Sequence, residues 1–474
     1  MKQKSVEMQP SEKEENKNPL SERDRHLALE YTGGGIFESI PIYIAFQAFF
    51  QGLFSLNSLT LFMYQKDILK MGPAKIQFVS GILALPFCIK PVVGYLIDRF
   101  ITRYSCHSPL FILSAFMQAV ILSLLAHVEF HQTQFFFLYF LFVCCAVVQN
   151  IISEYILCVY TQRQSQLCGT SKNEFPIFFG FRALGSLVGS FFGGRLIKHG
   201  SLHAVFYISS FIPVFTMTAA LLHKEMQVTN SNSYRTISQE LGVIIRLISQ
   251  KQLVYLILAL ALMNICPSFE SMTNYFFMEE LKFTTEDMAD ISTASTVAYI
   301  IGLIFYYKFL IDYPPARLFL SSNFLLLIAN ITFLAVVCDV LQKLDVNIKF
   351  FCILNSGFYS FIGELNSMPV MTIWTSYTPP GLEATSVTLL TGISNLTSNI
   401  SNYTGSFVLY VCEIDAQDLK KVWLALIIQN LYLVVVTCIV YIIPLSNSKP
   451  AGKPISEITA LEVSKPLPYL TTQV

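Results

Sequence analysis

The chain has 474 residues, of which 53% are hydrophobic and only 13% charged, with 31 basic and 31 acidic side chains in balance. A soluble domain is about a quarter charged, so this composition excludes an ordinary water-soluble fold and indicates a polytopic membrane protein. The basic residues flank apolar runs instead of forming a stripe, which excludes a nucleic-acid surface.

The first forty residues are polar, hold six basic side chains and contain no apolar run near Met1. Residues 1–40 are therefore expected to be a disordered cytoplasmic tail, with the first span serving as the targeting signal in place of a cleavable peptide. Crossing about 30 Å of hydrocarbon takes roughly 20 helical residues. Apolar stretches of that length fall near 41–62, 76–97, 108–128, 133–160, 175–197, 201–223, 253–276, 288–311, 316–338, 350–376, 383–412 and 422–444. Runs this long exclude a strand barrel, whose segments are about ten residues of alternating polarity. The expected fold is an all-α membrane protein of twelve transmembrane helices.

The longest internal connection, 224–252, divides the chain into two six-helix halves, 41–223 and 253–444, with a C-terminal tail from 445 to 474. Within this linker, Thr236 to Leu247 is weakly amphipathic and is expected to lie along the inner membrane surface. Ile68-Leu69-Lys70-Met71 aligns at an offset of 212 with Glu280-Leu281-Lys282-Phe283, a faint internal repeat. Parallel repeats of this kind bind substrate at their interface near the midplane. Counting Lys and Arg in alternate connections gives 19 on the side of the N-terminus and 9 on the other. That asymmetry predicts both termini in the cytoplasm.

The second span carries Lys90 between Pro86 and Pro91. A cation in hydrocarbon costs about 2.5–3.5 kcal/mol even on lenient scales, so it faces other helices or a water-filled path. With this topology Lys90, Glu154 and Arg182 all lie roughly 9 to 11 Å in from the cytoplasmic ends of their helices, at 1.5 Å per residue. Two cations and one carboxylate leave a net positive charge suited to an anionic substrate, and Arg182 can grip a carboxylate bidentately. The alternative is an ion-paired cluster that only locks three helices together. Glu364, near the centre of span ten, is the leading proton carrier of the second half, with a structural hydrogen bond to span eleven as its rival reading. Glu270, nearer the outer end of span seven, ranks below it.

Span five repeats glycine at Gly185, Gly189 and Gly193, one helical face that lets a neighbouring backbone approach. Span eleven carries thirteen Ser, Thr and Asn residues, too many to face lipid, so at least one stripe is expected to line a cavity. The eleven cysteines are scattered without a C-x-x-C pair and the histidines lack ligand spacing, so no metal or cofactor is expected. Absence of hydrolase and nucleotide-binding motifs argues against an enzyme or an ATP-driven pump. The N-x-S/T patterns at Asn330, Asn395, Asn399 and Asn402 lie inside predicted spans and are read as accidental.

Gly94-Tyr95-Leu96-Ile97-Asp98-Arg99 resembles the opening of the loop signature of the major facilitator superfamily, with Ile101 where that signature has a glycine. The resemblance implies that Asp98 and Arg99 hold a cytoplasmic gate. Pro379-Pro380-Gly381-Leu382-Glu383-Ala384-Thr385, with Ile393-Ser394-Asn395-Leu396, Tyr403 and Gly405, resembles the most recognisable stretch of the folate-biopterin transporter family. Phe50-Gln51-Gly52-Leu53, Lys66-Asp67, Leu85-Pro86-Phe87-Cys88-Ile89-Lys90-Pro91 and Phe181-Arg182-Ala183-Leu184-Gly185 extend the match from about Phe50 to Gly405. At the end of span four the family shows two acids and an arginine. Here Glu154 and Arg163 occupy the first and third places, and Val159 or Tyr160 the second.

This resemblance implies a secondary transporter of folates or pterins that works by alternating access with proton coupling. Lys90, Arg182, Phe87, Tyr403 and Asn395 would bind substrate, Glu154 or Glu364 would load the proton, and Asp98, Arg99 and Arg163 would gate. The expected partners are a small-molecule folate or pterin, protons and the lipid bilayer, with the chain acting as a monomer in the plasma membrane. A major facilitator transporter of another organic anion, an amino acid or a nucleoside is the alternative on the same fold.

Overall fold

The computed structural model describes residues 42–96, 107–168, 174–222, 242, 245, 251–311, 313–376 and 383–442. The expected tails, nearly all of the 224–252 linker and the gate residues Asp98 and Arg99 lie outside the described residues. The helices are α1 Ile42–Leu53, α2 Leu56–Met63, α3 Pro73–Cys88, α4 His107–His127, α5 Gln132–Cys168, α6 Glu174–His199 and α7 Leu202–Leu222. After the linker come α8 Lys251–Asn264, α9 Glu270–Tyr275, α10 Thr285–Phe305, α11 Pro315–Val337, the short α12 Val340–Lys343, α13 Ile348–Ser376, α14 Glu383–Val411 and α15 Val422–Ile442. Eight helices among the described residues are long and apolar enough to cross a bilayer. Helices α13 and α14 have 29 residues each, about 43 Å at 1.5 Å per residue, which also exceeds the hydrocarbon thickness.

The repeat at offset 212 is visible in the backbone. Tyr64–Ile68 and Phe276–Glu280 are both single π-turns, closed by Lys70 at φ 50° and Lys282 at φ 57°. Matching hydrogen bonds follow, Leu69 N to Tyr64 O at 3.0 Å and Leu281 N to Phe276 O at 3.1 Å. The next helix then starts by a different device in each copy. Extended Gly72 leads into Pro73, whose missing N–H is harmless in a first turn. Thr284 and Asp287 instead form a reciprocal capping box.

Two predicted continuous spans are interrupted. Span one breaks at Phe54 and Ser55, between α1 and α2, and span seven breaks between Asn264 and Glu270. Pro267 cannot donate a backbone hydrogen bond and disfavours a helical residue before it, which explains the second break. The freed polar groups find partners on α14 and α15. Ser268 N donates to Ser401 O at 3.2 Å, Gln429 Nε2 donates to Pro267 O at 3.0 Å, and the Ser401 hydroxyl bonds Cys266 O. Unwound backbone inside a bundle is stable only when satisfied in this way.

The glycines of α6 seat α1 and α2. A Cβ added to Gly185 would lie 1.9 Å from Phe49 O, and one on Gly52 would lie 1.8 Å from Arg182 O. Both opposing atoms are backbone, so the helices can only separate. Gly185→Leu is accordingly expected to lower stability by about 1–3 kcal/mol, read as a lower melting temperature of the detergent-purified protein; an unchanged melting temperature would show that this contact is dispensable.

Candidate functional site

The three ionisable groups predicted to share a layer do so unequally. The helix of α3 breaks at Ile89 and resumes at Lys90, because Pro91 has no N–H to give the Phe87 carbonyl four residues back and its ring crowds that carbonyl. The kink turns Lys90 toward α5. There its Nζ lies 3.1 Å from Glu154 Oε1 and 3.3 Å from Oε2, and it also donates to Asn150 Oδ1. Lys90 is 3% exposed and Glu154 5%, and neither is among the residues lining the cavities described next. Arg182 behaves differently. It has no hydrogen-bond or ion-pair partner among the described residues, although it is near enough to act electrostatically on Lys90 and on Tyr299 across the interface.

Arg182 faces a cavity of about 510 Å³ walled by α1, α2, α3, α5 and α6 and, from beyond the linker, by α9 and α10. A second cavity, of about 680 Å³, lies among α8, α9, α10, α11, α13, α14 and α15. Both volumes fall within the usual range of ligand pockets, about 300–1,000 Å³. They share Glu270, Asn274, Phe277 and Ile291, so they are two lobes of one space. Arg182 is the one basic and Glu270 the one acidic residue among the described residues that line it.

Several lining residues carry a buried polar atom without a protein partner among the described residues. Gln51 donates to Ser153 Oγ at 2.9 Å, yet its Oε1 is buried and unpartnered among the described residues, as is Gln65 Nε2. In the larger lobe Asn366 donates to Asn323 at 2.9 Å and leaves its own Oδ1 unpartnered. Buried polar atoms of a native fold are nearly always satisfied, so these are places for water or a ligand.

The remaining predicted residues are distributed as follows. Phe87 lines the smaller lobe beside Arg182. Asn395 donates to Phe87 O at 3.3 Å, and the Tyr403 ring packs against Phe78 at 5.5 Å and over Gly81. Both therefore sit in the α3–α14 contact and not among the lining residues. Glu364 is buried against α10, near Gly302, with its Oε2 unpartnered among the described residues. Its predicted rival reading, a hydrogen bond to span eleven, is not found among the described residues. Arg163 lies on α5 by its backbone.

The polar stripe of α14 is chiefly helix-joining. Asn402 accepts from Gln77 at 2.7 Å, Asn399 donates to Cys88 Sγ at 3.4 Å, and Ser406 donates to Ala74 O at 2.8 Å. Only its Ser398 and Ser401 reach the cavity. Amides and hydroxyls join helices well where apolar surface supplies no driving force. Sequence reasoning underrated Glu270, Asn274, Gln51 and Phe277. The signal available was Pro267 in mid-span, since discontinuous helices are where transporters build sites.

One face of the space is closed by ion pairs between helices before and after the linker. Lys66 Nζ lies 2.7 Å from Glu279 Oε1, Arg195 lies 2.8 Å from Asp290, and Lys198 lies 2.5 Å from Glu286. Burial opposes the Lys66 charge, but hydrogen bonds to Glu279 and Asp67 outweigh it and hold the ammonium above its ordinary pKa. The hydrogen bond from Lys66 in turn holds the Glu279 carboxyl below its ordinary value. The Glu279 contribution is present in full above the ordinary carboxyl pKa of 4.5 and is lost as the pH falls through the folded value. That of Lys66 is present below 10.5 and is lost as the pH rises through its folded value. Crosslinking of a cysteine pair across this face is therefore expected to be constant between about pH 5 and 10 and to fall at acid pH. Lys66→Glu should lower it at neutral pH, and the swap Lys66→Glu with Glu279→Lys should restore it.

Comparison with known proteins agrees with this architecture. Residues 51–454 match the BT1 family. The chain belongs to the BT1 family. Among curated relatives of this BT1-family chain is the folate-biopterin transporter of Synechocystis, 25% identical over 86% of this chain and 81% of the relative. Folate transporter 2 of Plasmodium falciparum is 23% identical over 89% and 90%. The probable folate-biopterin transporter 2 of Arabidopsis thaliana is 22% identical over 82% and 79%. Among solved structures, the nucleoside transporter NupG aligns with a TM-score of 0.63 at 14% identity, covering 84% of this chain and 98% of that one. A peptide transporter of the POT family aligns at 0.62 and 13%, covering 87% and 99%. These likenesses establish a shared transporter fold. The BT1-family chain is an integral, multi-pass membrane transporter and not an enzyme.

Proposed function

We propose that this protein is a twelve-helix secondary transporter that moves folates or pterins by alternating access of two six-helix halves, 41–223 and 253–444. The observation that carries the reading is the two-lobed space walled by helices from before and after the linker, with Arg182 as the one cation among its described lining residues. A folate joins a flat pterin ring to a tail with two carboxylates. Arg182 supplies the fork for the tail, the half-buried Phe87 ring supplies a stacking surface, and Phe277 forms an apolar wall. The names of the BT1 relatives point to the same substrate class.

In this reading both termini are cytoplasmic and the protein sits in the plasma membrane as a monomer. The face closed by Lys66, Arg195 and Lys198 is then the outer one, and Asp98, Arg99 and Arg163 act at the cytoplasmic gate. Glu364 is the proton carrier, supported by its burial and by an Oε2 unpartnered among the described residues. Lys90 and Glu154 act as a pair that shapes the N-terminal half beside the site. Tyr403 and Asn395 act through the α3–α14 contact, which slides as the halves rock.

Uptake of labelled folate into vesicles containing the purified protein tests the whole reading. Saturable uptake is expected, competed by biopterin and not by a nucleoside, faster with acid outside and slowed by a protonophore. Equal rates with and without the pH difference would remove proton coupling. Competition by a nucleoside alone would replace the substrate class.

A further inference from the structure

The two lobes of the space differ in chemistry. The smaller one holds the Arg182 guanidinium. The larger one contains no charged lining residue except the shared Glu270, and amides such as Asn264, Asn330, Asn355 and Asn366 contribute to its walls. Glu270 opens α9 directly after the break at Pro267. That break carries its carboxylate to where the lobes meet. Its side chain is exposed to this space and has no hydrogen-bond or ion-pair partner among the described residues. Asn274 and Phe277 stand at the same junction, one and two helical turns further along.

A carboxylate exposed to a protein-walled cavity, with no protein partner among the described residues, keeps both oxygens available to a ligand's donors. A pterin ring presents an N–H and an exocyclic amino group side by side on its 2-amino-4-oxo edge. Two parallel donors of this kind meet the two oxygens of a carboxylate as a fork, as a guanidinium does. Phe277 lines the same junction, 4% exposed and stacked on Phe283 at 5.5 Å, so it supplies an apolar wall against the edge of the ring so oriented.

Resting on the substrate class proposed above, we propose that Glu270 is the specificity-determining residue that reads the donor edge of the pterin ring. Arg182 in the other lobe holds the carboxylate tail of a folate. The pair gives the space a polarity that orients the substrate, ring toward the C-terminal half and tail toward the N-terminal half. It also accounts for acceptance of both a folate and a tail-less pterin: Glu270 serves each, and Arg182 serves only the first.

Equilibrium binding to the purified full-length chain in detergent tests this with three probes: folate, biopterin, which lacks the tail, and p-aminobenzoylglutamate, which lacks the ring. Glu270→Gln replaces one acceptor oxygen by a donor. It is expected to weaken folate and biopterin roughly 10- to 100-fold, the worth of a hydrogen bond to a charged group, and to leave p-aminobenzoylglutamate unchanged. Arg182→Gln is expected to weaken folate and p-aminobenzoylglutamate and leave biopterin unchanged. Undiminished pterin binding by Glu270→Gln, or equal loss of the ring-less probe in a folded variant, would overturn the assignment while leaving the substrate class standing. Wild-type protein that binds none of the three would overturn the substrate class and this assignment with it. Should Glu270→Gln lose all ligands together with its monodisperse profile, Glu270→Asp decides. It keeps the charge at shorter reach and should weaken only the two ring-bearing ligands; equal weakening of all three would sink the proposal.

Discussion

Arg182→Ala is expected to abolish folate uptake while membrane insertion and the elution profile of the purified protein stay as in the wild type. Two features separate the functional loss from a folding defect. Arg182 makes no ion pair or hydrogen bond among the described residues, so truncating it leaves no partner stranded in the bundle. The close approach of α6 to α1 depends on Gly52, Gly185 and the backbone of Arg182, and not on its side chain. Losing one cation that grips a carboxylate in a low-dielectric space costs about 2–5 kcal/mol, or roughly 30- to 4,000-fold in affinity. Arg182→Lys keeps the charge but loses the fork, so it should retain partial uptake at raised substrate concentration. Uptake by Arg182→Ala at the wild-type rate would remove the residue from the site.

The second large effect is expected at Lys90, and it is an effect on stability. Removing one member of a buried ion pair leaves an uncompensated charge and costs about 3–5 kcal/mol. Lys90→Met is therefore expected to lower the melting temperature sharply, since Glu154 and Asn150 would lose the ammonium that joins them. Replacing both members by apolar groups of similar shape is often neutral, so Lys90→Met with Glu154→Leu should recover most of the loss. If the double variant is also as active as the wild type, Lys90 serves to build the half and not to hold substrate. A double variant no more stable than Lys90→Met would show that the pair is not the source of the effect.

In the proposed alternating-access cycle, the ion pairs between helices before and after the linker have a further consequence. Each pair at the Lys66, Arg195 and Lys198 positions is partly exposed, so none is worth much singly. Their sum must be small enough that substrate binding can shift the balance between closed and open states. A ligand can move such an equilibrium only by its differential affinity for the two conformations. Weak, repeated contacts at the rim, together with Arg182 and Glu270 at the cavity and unpartnered among the described residues, suit that requirement.

Helices and their approximate ends were legible in the sequence because hydrocarbon thickness sets their length and apolar composition marks them directly. The internal repeat was legible for the same kind of local reason. Lys70 and Lys282 terminate equivalent π-turns, and a local backbone conformation leaves a local trace. That Arg182 would turn away from lipid was legible from its type and depth. The sequence also named Lys90 and Glu154 as members of one layer, but layer is a coordinate along the membrane normal and says nothing of direction around it.

Direction around the normal was decided by the packing of helices far apart in the chain. The kink before Pro91 and the meeting of α3 with α5 turned Lys90 into Glu154, whereas Arg182 was left facing the cavity. The same packing turned most of the polar stripe of α14 onto α3 and carried Glu270, past the break at Pro267, to the junction of the two lobes. Composition and depth fix which side chains are too costly to face lipid. Which of them find a protein partner, and which are left for a ligand, depends on rotations and breaks that only the assembled bundle sets.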